Sequence, residues 1–437
     1  MRPRPPLPPG PYLVVGLARS GAGAAVMLME HGEVIGVDAG RPREADAIPY
    51  PVDVHLESDG LDLLDGARTV VKSPGVPRDA PVIAAALERG IDVLGELEMS
   101  WRLMSCEFLA VTGTNGKTTT AELLGAMHRE AGLDVAVAGN VGTAVSSLVG
   151  ALHHRCVLVC EASSFQLEDA TAFAPEGALL LNIDEDHLDR HGTFDAYREA
   201  KLRIFANQEE GDVVVIPAGL DVARPLPART FTFGDATGAE VGLGAGGELT
   251  WRGEPLMPAD DIRMRGDHNR ANAMAAAAMA LARGIEPDAV ARALCEFPGV
   301  PHRLEEVARR DGVLYVNDSK ATNVASAVVG IRAFEGGVHL ILGGSLKGGG
   351  FRGLREPVTE RCRACYLIGQ ASEQLARDLE GTVPLHDCGD LERAVRAARE
   401  AAQPGDVVLL SPACASYDQY EDFEERGAHF RRLAREG

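Results

Sequence analysis

Short apolar runs alternate with longer stretches of helical period along almost the whole chain. Pro11 to Leu17, PYLVVGL, reads as a strand covered on both faces. A glycine-rich turn, a helical stretch and a second strand, EVIGVDAG with Asp38, follow. The strand RTVVK leads into Ser73-Pro74-Gly75, then helix APVIAAALERG and strand IDVLGE, and a first domain is expected over 1–98. The next run, FLAVT, gives way to Gly113-Thr114-Asn115-Gly116-Lys117-Thr118-Thr119 and the helical AELLGAMHREAG. Strands LDVAVAGN and CVLVCE come after it, ending at Asn140 and Glu161. ALLLN then runs into an acidic loop with Asp184, Asp186 and His187 and a helix carrying Lys201. From Asp212 to Met257 the text breaks into short β segments. The helix ANAMAAAAMALARG follows, with Asn269 and Asn272 at its start to cap it or to face a ligand, and the second domain is expected over 99–299.

The remainder, 300–437, repeats the alternation: strands in VLYVNDSKATN, GVHLILGGSLKGGG, ACYLIG and DVVLLSPACAS, with helices between and an amphipathic helix at the end. The pattern predicts an α/β protein of three domains, with a mostly parallel, phosphate-loop sheet in the centre. In such sheets ligands collect at the C-terminal strand ends.

Composition sharpens this reading. A chain of 437 residues exceeds one hydrophobic core. No apolar run approaches the roughly 18 residues of a membrane span, and the opening MRPRPPLPPGP lacks a signal peptide's apolar core. A cytoplasmic protein with no membrane partner is expected. The net charge of −21 argues against nucleic acid as a partner, which needs a basic face. The eight cysteines read as reduced thiols, and the pair Cys362/Cys365 as structural. Of 43 basic residues only five are lysine: Lys72, Lys117, Lys201, Lys320 and Lys347. In an arginine-biased chain these are candidates for tasks arginine cannot perform.

The chemistry gathers in the loops. Gly113–Thr119 is a strand–loop–helix phosphate loop, one residue pair shorter than the common form. Backbone N–H groups would face a phosphate, Lys117 would add a point charge, and a hydroxyl such as Thr118 would reach Mg²⁺. Glu161 at a neighbouring strand end supplies the carboxylate that this cation takes. His187 is placed either to ligate a second metal or to contact a transferred phosphoryl group. Lys201 is either a solvated helix lysine or, as an N-carbamate made with CO₂, a carboxylate on a long arm. The turn Gly16-Leu17-Ala18-Arg19-Ser20-Gly21, with Asp38 about twenty positions on, suits a diphosphate-bearing ligand better than a nicotinamide cofactor.

The motifs GTNGKTT, EASSFQLE, NIDEDHLDRH, AKLRIF, GDHNRANA, PHRLE, NDSKATN, LGGSLKGG and SPACASYDQY, in this order, resemble the Mur ligases, ATP-dependent amide-forming enzymes of peptidoglycan synthesis. Within that family NDSKATN and SPACASYDQY point to the branch that adds D-glutamate to UDP-N-acetylmuramoyl-L-alanine. The resemblance implies Rossmann-like first and last domains around a central P-loop ATPase-type domain, phosphate contacts by Gly113, Thr114, Asn115, Gly116, Lys117, Thr118 and Thr119, and ATP contacts by Asn272, Arg303 and Asp318. It implies two Mg²⁺ ions, one on Thr118 and Glu161 and one on His187 and carbamylated Lys201. It places Gly16, Ser20, Asp38, Ser73, Asn140 and His187 toward the UDP-substrate. Thr322, Lys347, Ser416 and the backbone of Phe423 fall toward D-glutamate, with Lys320 near the reaction. A monomer is the expected state, with domain closure hinged near Gly299 and Pro301.

Ala39 and Ser345 depart from the family pattern, which puts uracil contacts at the first and a metal or nucleotide role at the second in doubt. The alternatives are a sibling ligase, including folylpolyglutamate synthetase, and a non-catalytic nucleotide-binding protein. The context of SPACASYDQY disfavours the first. The retention of Lys117, Glu161, His187 and Lys201 disfavours the second.

Overall fold

The computed structural model describes residues 3–222, 226–346 and 349–436. Lys347, one of the residues expected to contact D-glutamate, lies outside them. The chain forms two compact units: residues 1–261 with 271–295, and residues 262–270 with 296–437.

The first unit holds two sheets. One is all-parallel in the order β3-β2-β1-β4-β5, from β1 (Tyr12–Val15), β2 (Val34–Asp38), β3 (Asp53–Leu56), β4 (Thr69–Lys72) and β5 (Asp92–Gly95). Helices α1 (Arg19–Leu28) and α2 (Pro81–Glu88) connect its strands. The runs YLVV and TVVK are buried at every residue, as strands with both faces covered must be. The strand β3 was not expected. Its DVHL sequence is only partly buried because it lies at a sheet edge.

Helix α3 (Glu96–Leu103) leads into the second sheet, and its two first-turn carboxylates fasten the two sheets together. Glu96 Oε1 accepts from Ser146 N at 2.7 Å. Glu98 accepts from Phe173 N at 2.8 Å and Thr171 N at 3.1 Å. Charge-assisted bonds to backbone N–H groups are among the strong ones, which suits carboxylates that are almost fully buried.

The second sheet comprises β6 (Glu107–Thr112), β7 (Val135–Gly139), β8 (Val157–Glu161), β9 (Gly177–Leu180), β10 (Val213–Pro217), β11 (Arg229–Phe233), β12 (Val241–Leu243), β13 (Glu248–Trp251) and β14 (Glu254–Pro258). Its order is β14-β13-β12-β11-β10-β9-β6-β8-β7, parallel except at β13 and β14. Between its strands lie α4 (Lys117–Glu130), α5 (Ser164–Leu167), α6 (Leu188–His191) and α7 (Phe194–Leu202). Thr193 caps α7 by accepting from Ala196 N, and Ser163 with Gln166 forms a capping box on α5. Helix α8 (Asp267–Ala282) is buried along its alanine run, and α9 (Pro287–Glu296) follows.

The second unit carries the sheet β15-β16-β20-β17-β18-β19, from β15 (Glu305–Arg310), β16 (Val313–Asn317), β17 (Val338–Gly343), β18 (Cys362–Ile368), β19 (Leu385–Gly389) and β20 (Val407–Leu410). Only β15 runs antiparallel. Helices α10 (Val324–Arg332), α11 (Arg355–Arg361), α12 (Ser372–Asp378), α13 (Leu391–Ala401) and α14 (Phe423–Glu436) complete it. Two apolar clusters cover the sheet's faces, one with Leu340 and Leu409, the other with Ile341 and Leu410. No described helix is long and apolar enough to cross a membrane.

Candidate active site

β6 ends at Thr112, and the chain turns through Gly113–Gly116 into α4. Gly116 has φ of +84°, and a Cβ there would stand 2.2 Å from Asn272 Oδ1, so this position requires glycine and brings Asn272 against the loop. The loop is braced from β9's end. Asn182 O accepts from Thr114 N at 3.1 Å and Asn182 Oδ1 from Asn115 N at 2.9 Å. Thr114 Oγ1 accepts from Asp184 N at 2.9 Å and meets Tyr197 Oη at 3.0 Å. A short loop without a core of its own needs such pins to hold its N–H groups in place.

Three chemical groups converge on this turn. Lys117 Nζ curls back to Gly113 O and Thr114 O, both at 2.9 Å. Thr118 Oγ1 donates to Glu161 Oε2 at 2.8 Å, and Asn140 Nδ2 donates to Glu161 Oε1 at 3.1 Å, so one buried carboxylate joins the helix start to two strand ends. Lys201 Nζ reaches the Gly113 carbonyl at 2.7 Å from α7.

Lys201 is 1 % exposed, which overturns the solvated-lysine alternative. Burial and the neighbouring Lys117 ammonium push it down to about 7, partly opposed by Asp186. Its Nζ lies 4.5 Å from the Tyr197 ring, and that ring lies 6.2 Å from His187. His187 itself has φ of +52°, begins α6 and packs its half-exposed ring 4.8 Å from Phe165.

Among the described residues no group of three or more His, Cys, Asp or Glu converges as a metal site. The Thr118–Glu161 pair is nevertheless an all-oxygen donor set. It fits a hard cation that keeps waters and phosphate oxygens as its remaining ligands.

The turn after β1 lies at the same kind of strand end. Gly16 has φ of +86°, and a Cβ there would meet Val76 Cγ2 at 2.6 Å and Ser73 Cβ at 3.0 Å, which places Ser73 beside it. Asp38 accepts from Leu17 N at 2.7 Å and Gly40 N at 2.8 Å, fixing both loops with its two oxygens. The neighbouring Ala39 adds no hydroxyl. Arg19 Nη1 donates to Gly142 O at 2.8 Å and Ser146 Oγ to Ser20 O at 3.5 Å, tying the start of α1 to the loop after Asn140.

In the second unit, Asp318 follows β16 and is buried, accepting from Ser411 Oγ at 2.7 Å and Leu304 N at 3.3 Å. Burial raises its carboxyl to about 7, against these bonds and the nearby Arg303 charge. Lys320 Nζ sits 3.7 Å over the Phe423 ring, and Ser319 Oγ donates to Phe423 O at 2.8 Å, so Phe423's carbonyl is engaged at the start of α14. Thr322 N donates to Lys320 O at 2.8 Å. Ser416 is buried, and its carbonyl accepts from Tyr420 N at 2.9 Å. Ser345 Oγ accepts from Asp418 N at 2.9 Å, a loop-bracing role.

Sequence reasoning missed Arg426, a 1 % exposed arginine. It donates to Ser319 O at 2.9 Å, Cys414 O at 3.1 Å and Ala415 O at 3.3 Å, so it holds the NDSKA and SPACAS loops together. Nothing in the sequence marks it among the other arginines. Lys72 was noted only for its rarity. It is fully buried with Asp169 at 2.8 Å.

Three family profiles match the chain: "Mur ligase MurD-like, N-terminal domain" over residues 11–95, "Mur ligase middle domain" over 111–280, and "Mur ligase, glutamate ligase domain" over 302–414. The UDP-N-acetylmuramoylalanine--D-glutamate ligase of Acidobacterium capsulatum is 42 % identical over 96 % of this chain and 95 % of its own length. The enzyme of the same name from Anaeromyxobacter dehalogenans is 43 % identical over 97 % of each chain. Among solved structures, the UDP-N-acetylmuramate-alanine ligase MurC of Thermotoga maritima superposes with a TM-score of 0.60 at 19 % identity, over 96 % of this chain and 97 % of its own. The MurF ligase of the same organism, solved with ADP, also gives 0.60 at 19 % identity, over 92 % and 95 %. At that identity these two speak for the fold alone.

Proposed function

The chain belongs to the Mur ligase family, and from that membership we infer that it joins D-glutamate to UDP-N-acetylmuramoyl-L-alanine with ATP, in peptidoglycan precursor synthesis. Relatives above 40 % identity across nearly the full chain carry that name. The observation that carries the chemistry is the meeting of Lys117 and Lys201 on one carbonyl, Gly113 O, beside the Thr118–Glu161 pair. Two ammonium ions on one carbonyl repel each other. The arrangement is relieved if Lys201 is neutral, and a neutral amine is the nucleophile that CO₂ captures, losing a proton to become a carbamate. We propose that modification for Lys201.

The reaction has two displacements. An oxygen of the L-alanyl carboxylate attacks the γ-phosphorus of ATP, the bond to the β-phosphate oxygen breaks, and ADP departs. The acyl phosphate so formed is a competent acyl donor, as the free carboxylate is not. The unprotonated amine of D-glutamate then attacks its carbonyl carbon, and the tetrahedral intermediate expels phosphate. Lys117 offsets charge on the moving phosphoryl group, the largest single contribution expected of such a site. Gly113, Thr114, Asn115, Gly116 and Thr119 present the loop to the phosphates, with Asn272, Arg303 and Asp318 completing the nucleotide contacts.

Thr118 and Glu161 would hold one Mg²⁺, and His187 with carbamylated Lys201 a second. Such ions supply charge neutralisation for phosphoryl transfer. Gly16, Ser20, Asp38, Ser73, Asn140 and His187 are proposed to hold the UDP-linked substrate. Thr322, Ser416, Lys347 and the backbone of Phe423 would hold the D-glutamate carboxylates, and Lys320 would stand near the reacting carbonyl. The division 1–98, 99–299 and 300–437 assigns UDP-substrate, ATP and amino acid to successive domains. A monomer is proposed as the working state. We propose a cytoplasmic location, which the use of ATP and a nucleotide-linked substrate supports.

The test is phosphate release from ATP with UDP-N-acetylmuramoyl-L-alanine, comparing D-glutamate, L-lysine, diaminopimelate and L-alanine. Release with D-glutamate alone is expected. Release indifferent to D-glutamate would contradict the assignment.

A further inference from the structure

One buried charge cluster is used by none of these roles. Lys72, the last residue of β4, is fully buried; its Nζ donates to Val76 O at 2.9 Å and pairs with Asp169 Oδ2 at 2.8 Å and Glu168 Oε1 at 3.3 Å. Arg190 stands three residues after His187 on α6. Its Nη2 donates to the same Val76 carbonyl at 2.7 Å and the same Glu168 oxygen at 2.8 Å. Longer contacts at 3.4 Å reach Pro74 O and Gly75 O. Two cations, one carbonyl and one carboxylate thus close a ring.

The ring joins the loop after β4 to the end of α5 and to α6. Helix α6 is four residues long and buries none of them, so side-chain contacts rather than a buried face must fix the His187 at its start. What holds it is Arg190, whose guanidinium also lies 4.9 Å over Phe165, and His191, which contacts Ser164 Oγ at 3.0 Å and stacks on Phe165. On the other side, Arg190 accounts for three consecutive carbonyls of the loop that begins at Ser73.

The choice of cations fits the geometry. Only a planar fork reaches a run of carbonyls and a carboxylate together, whereas the closed space against Asp169 admits a compact ammonium. This gives Lys72 a reason to survive in a lysine-poor chain. Desolvated ions are costly unless paired, and here two cations face two carboxylates while the carbonyls of residues 74–76 accept from Arg190.

We infer that Arg190, with Lys72 and Glu168, is a positioning residue that locks the Ser73–Val76 loop to the helix carrying His187, and so sets the UDP-linked substrate in register with the phosphate loop. This rests on the reading that Ser73 and His187 face that substrate. Arg190 touches no reacting atom. Its loss displaces the substrate carboxylate relative to the γ-phosphate, and misplacement of that kind by about 1 Å costs on the order of 100-fold in rate. The nucleotide contacts of Lys117 and Thr118 are independent of it.

The test uses the full chain with Arg190→Ala, Arg190→Lys and Glu168→Gln, varying each substrate in the phosphate-release assay and titrating ADP by calorimetry. For Arg190→Ala, kcat should fall roughly 100-fold and KM for UDP-N-acetylmuramoyl-L-alanine rise roughly 10-fold, with ADP binding held within about twofold. Arg190→Lys retains the charge but not the fork and should show the same split at smaller size; it and Glu168→Gln carry the test if the alanine variant does not fold. Unchanged kinetics in the folded variants would overturn the inference. So would ADP affinity falling in parallel with melting temperature, the mark of a merely structural residue. Wild-type enzyme run alongside separates the failures. Absence of D-glutamate-dependent turnover in wild type overturns the functional reading and this inference with it, whereas normal wild-type turnover with unimpaired variants overturns this inference alone.

Discussion

The turns after β1 and β6 use the same backbone device, a glycine near φ of +85° that lets a strand end pass into a helix: Gly16 at +86° and Gly116 at +84°. Around the first, the Asp38 carboxylate braces the protein's own loops with its two oxygens, and Arg19 donates to Gly142 O. Around the second stand Lys117, Thr118, Glu161 and Lys201, a set able to hold phosphate and a hard cation. On the proposed function, a shared turn gives a holding site in one place and a reacting site in the other. The side chains arriving from neighbouring strands decide which.

The largest effect should come from the second turn. Lys117→Ala should lower ATP-dependent phosphate release roughly 1,000-fold while leaving UDP-substrate binding within a few-fold, as read by steady-state kinetics and calorimetry. Lys117→Arg should rescue little, because a planar fork does not reproduce a point charge on two adjacent carbonyls. Comparable loss of UDP-substrate binding would erase the distinction between the turns.

Next comes Lys201→Ala, expected to lose on the order of 100-fold in activity and to regain part of it with short carboxylic acids. Full activity without them would rule out an essential carbamate. Because the amine is pushed down to about 7, the neutral form gains as pH rises through that value. Carbamate formation in bicarbonate buffer should rise with it, and mass spectrometry of the trapped adduct reads this directly.

A smaller effect belongs to the first turn. Asp38→Ala should raise KM for the UDP-substrate roughly 10-fold with kcat nearly unchanged, the signature of binding shared by ground and transition states. A fall in kcat alone would move Asp38 from holding to chemistry.

The smallest effect lies outside both turns. Asp318 has a folded value of about 7 against 3.8 unfolded, so the folded state holds the extra proton. Its contribution to stability is complete below the unfolded value and is lost as pH rises through about 7. Asp318→Asn should flatten that part of the melting-temperature profile between pH 4 and 7, and an unchanged slope would assign it to other groups.

What was legible in the sequence follows the same division. The phosphate loop, Thr118 and the strand-end position of Glu161 were readable because local pattern places them. So were the buried strands, whose apolar runs are continuous. The strands β3, β15 and β19 escaped because edge strands carry polar residues on their open side, as EEVARR does. The bracing of the site escaped for a different reason. Glu98 finds Phe173, Lys72 finds Asp169 and Arg426 finds Ser319 only through the tertiary fold, and a buried charge looks like any other in a row of letters. Lysine scarcity marked Lys72 and Lys201 without saying what they meet.

On the proposed function, the second turn transfers the γ-phosphoryl group to a carboxylate held by the first. Supplying UDP-N-acetylmuramoyl-L-alanine with ¹⁸O in its alanyl carboxylate tests it directly, by mass spectrometry of the released phosphate. An acyl phosphate requires one carboxylate oxygen to leave with phosphorus, so the phosphate should carry a single ¹⁸O per turnover. Phosphate free of label, with amide still formed, would contradict it.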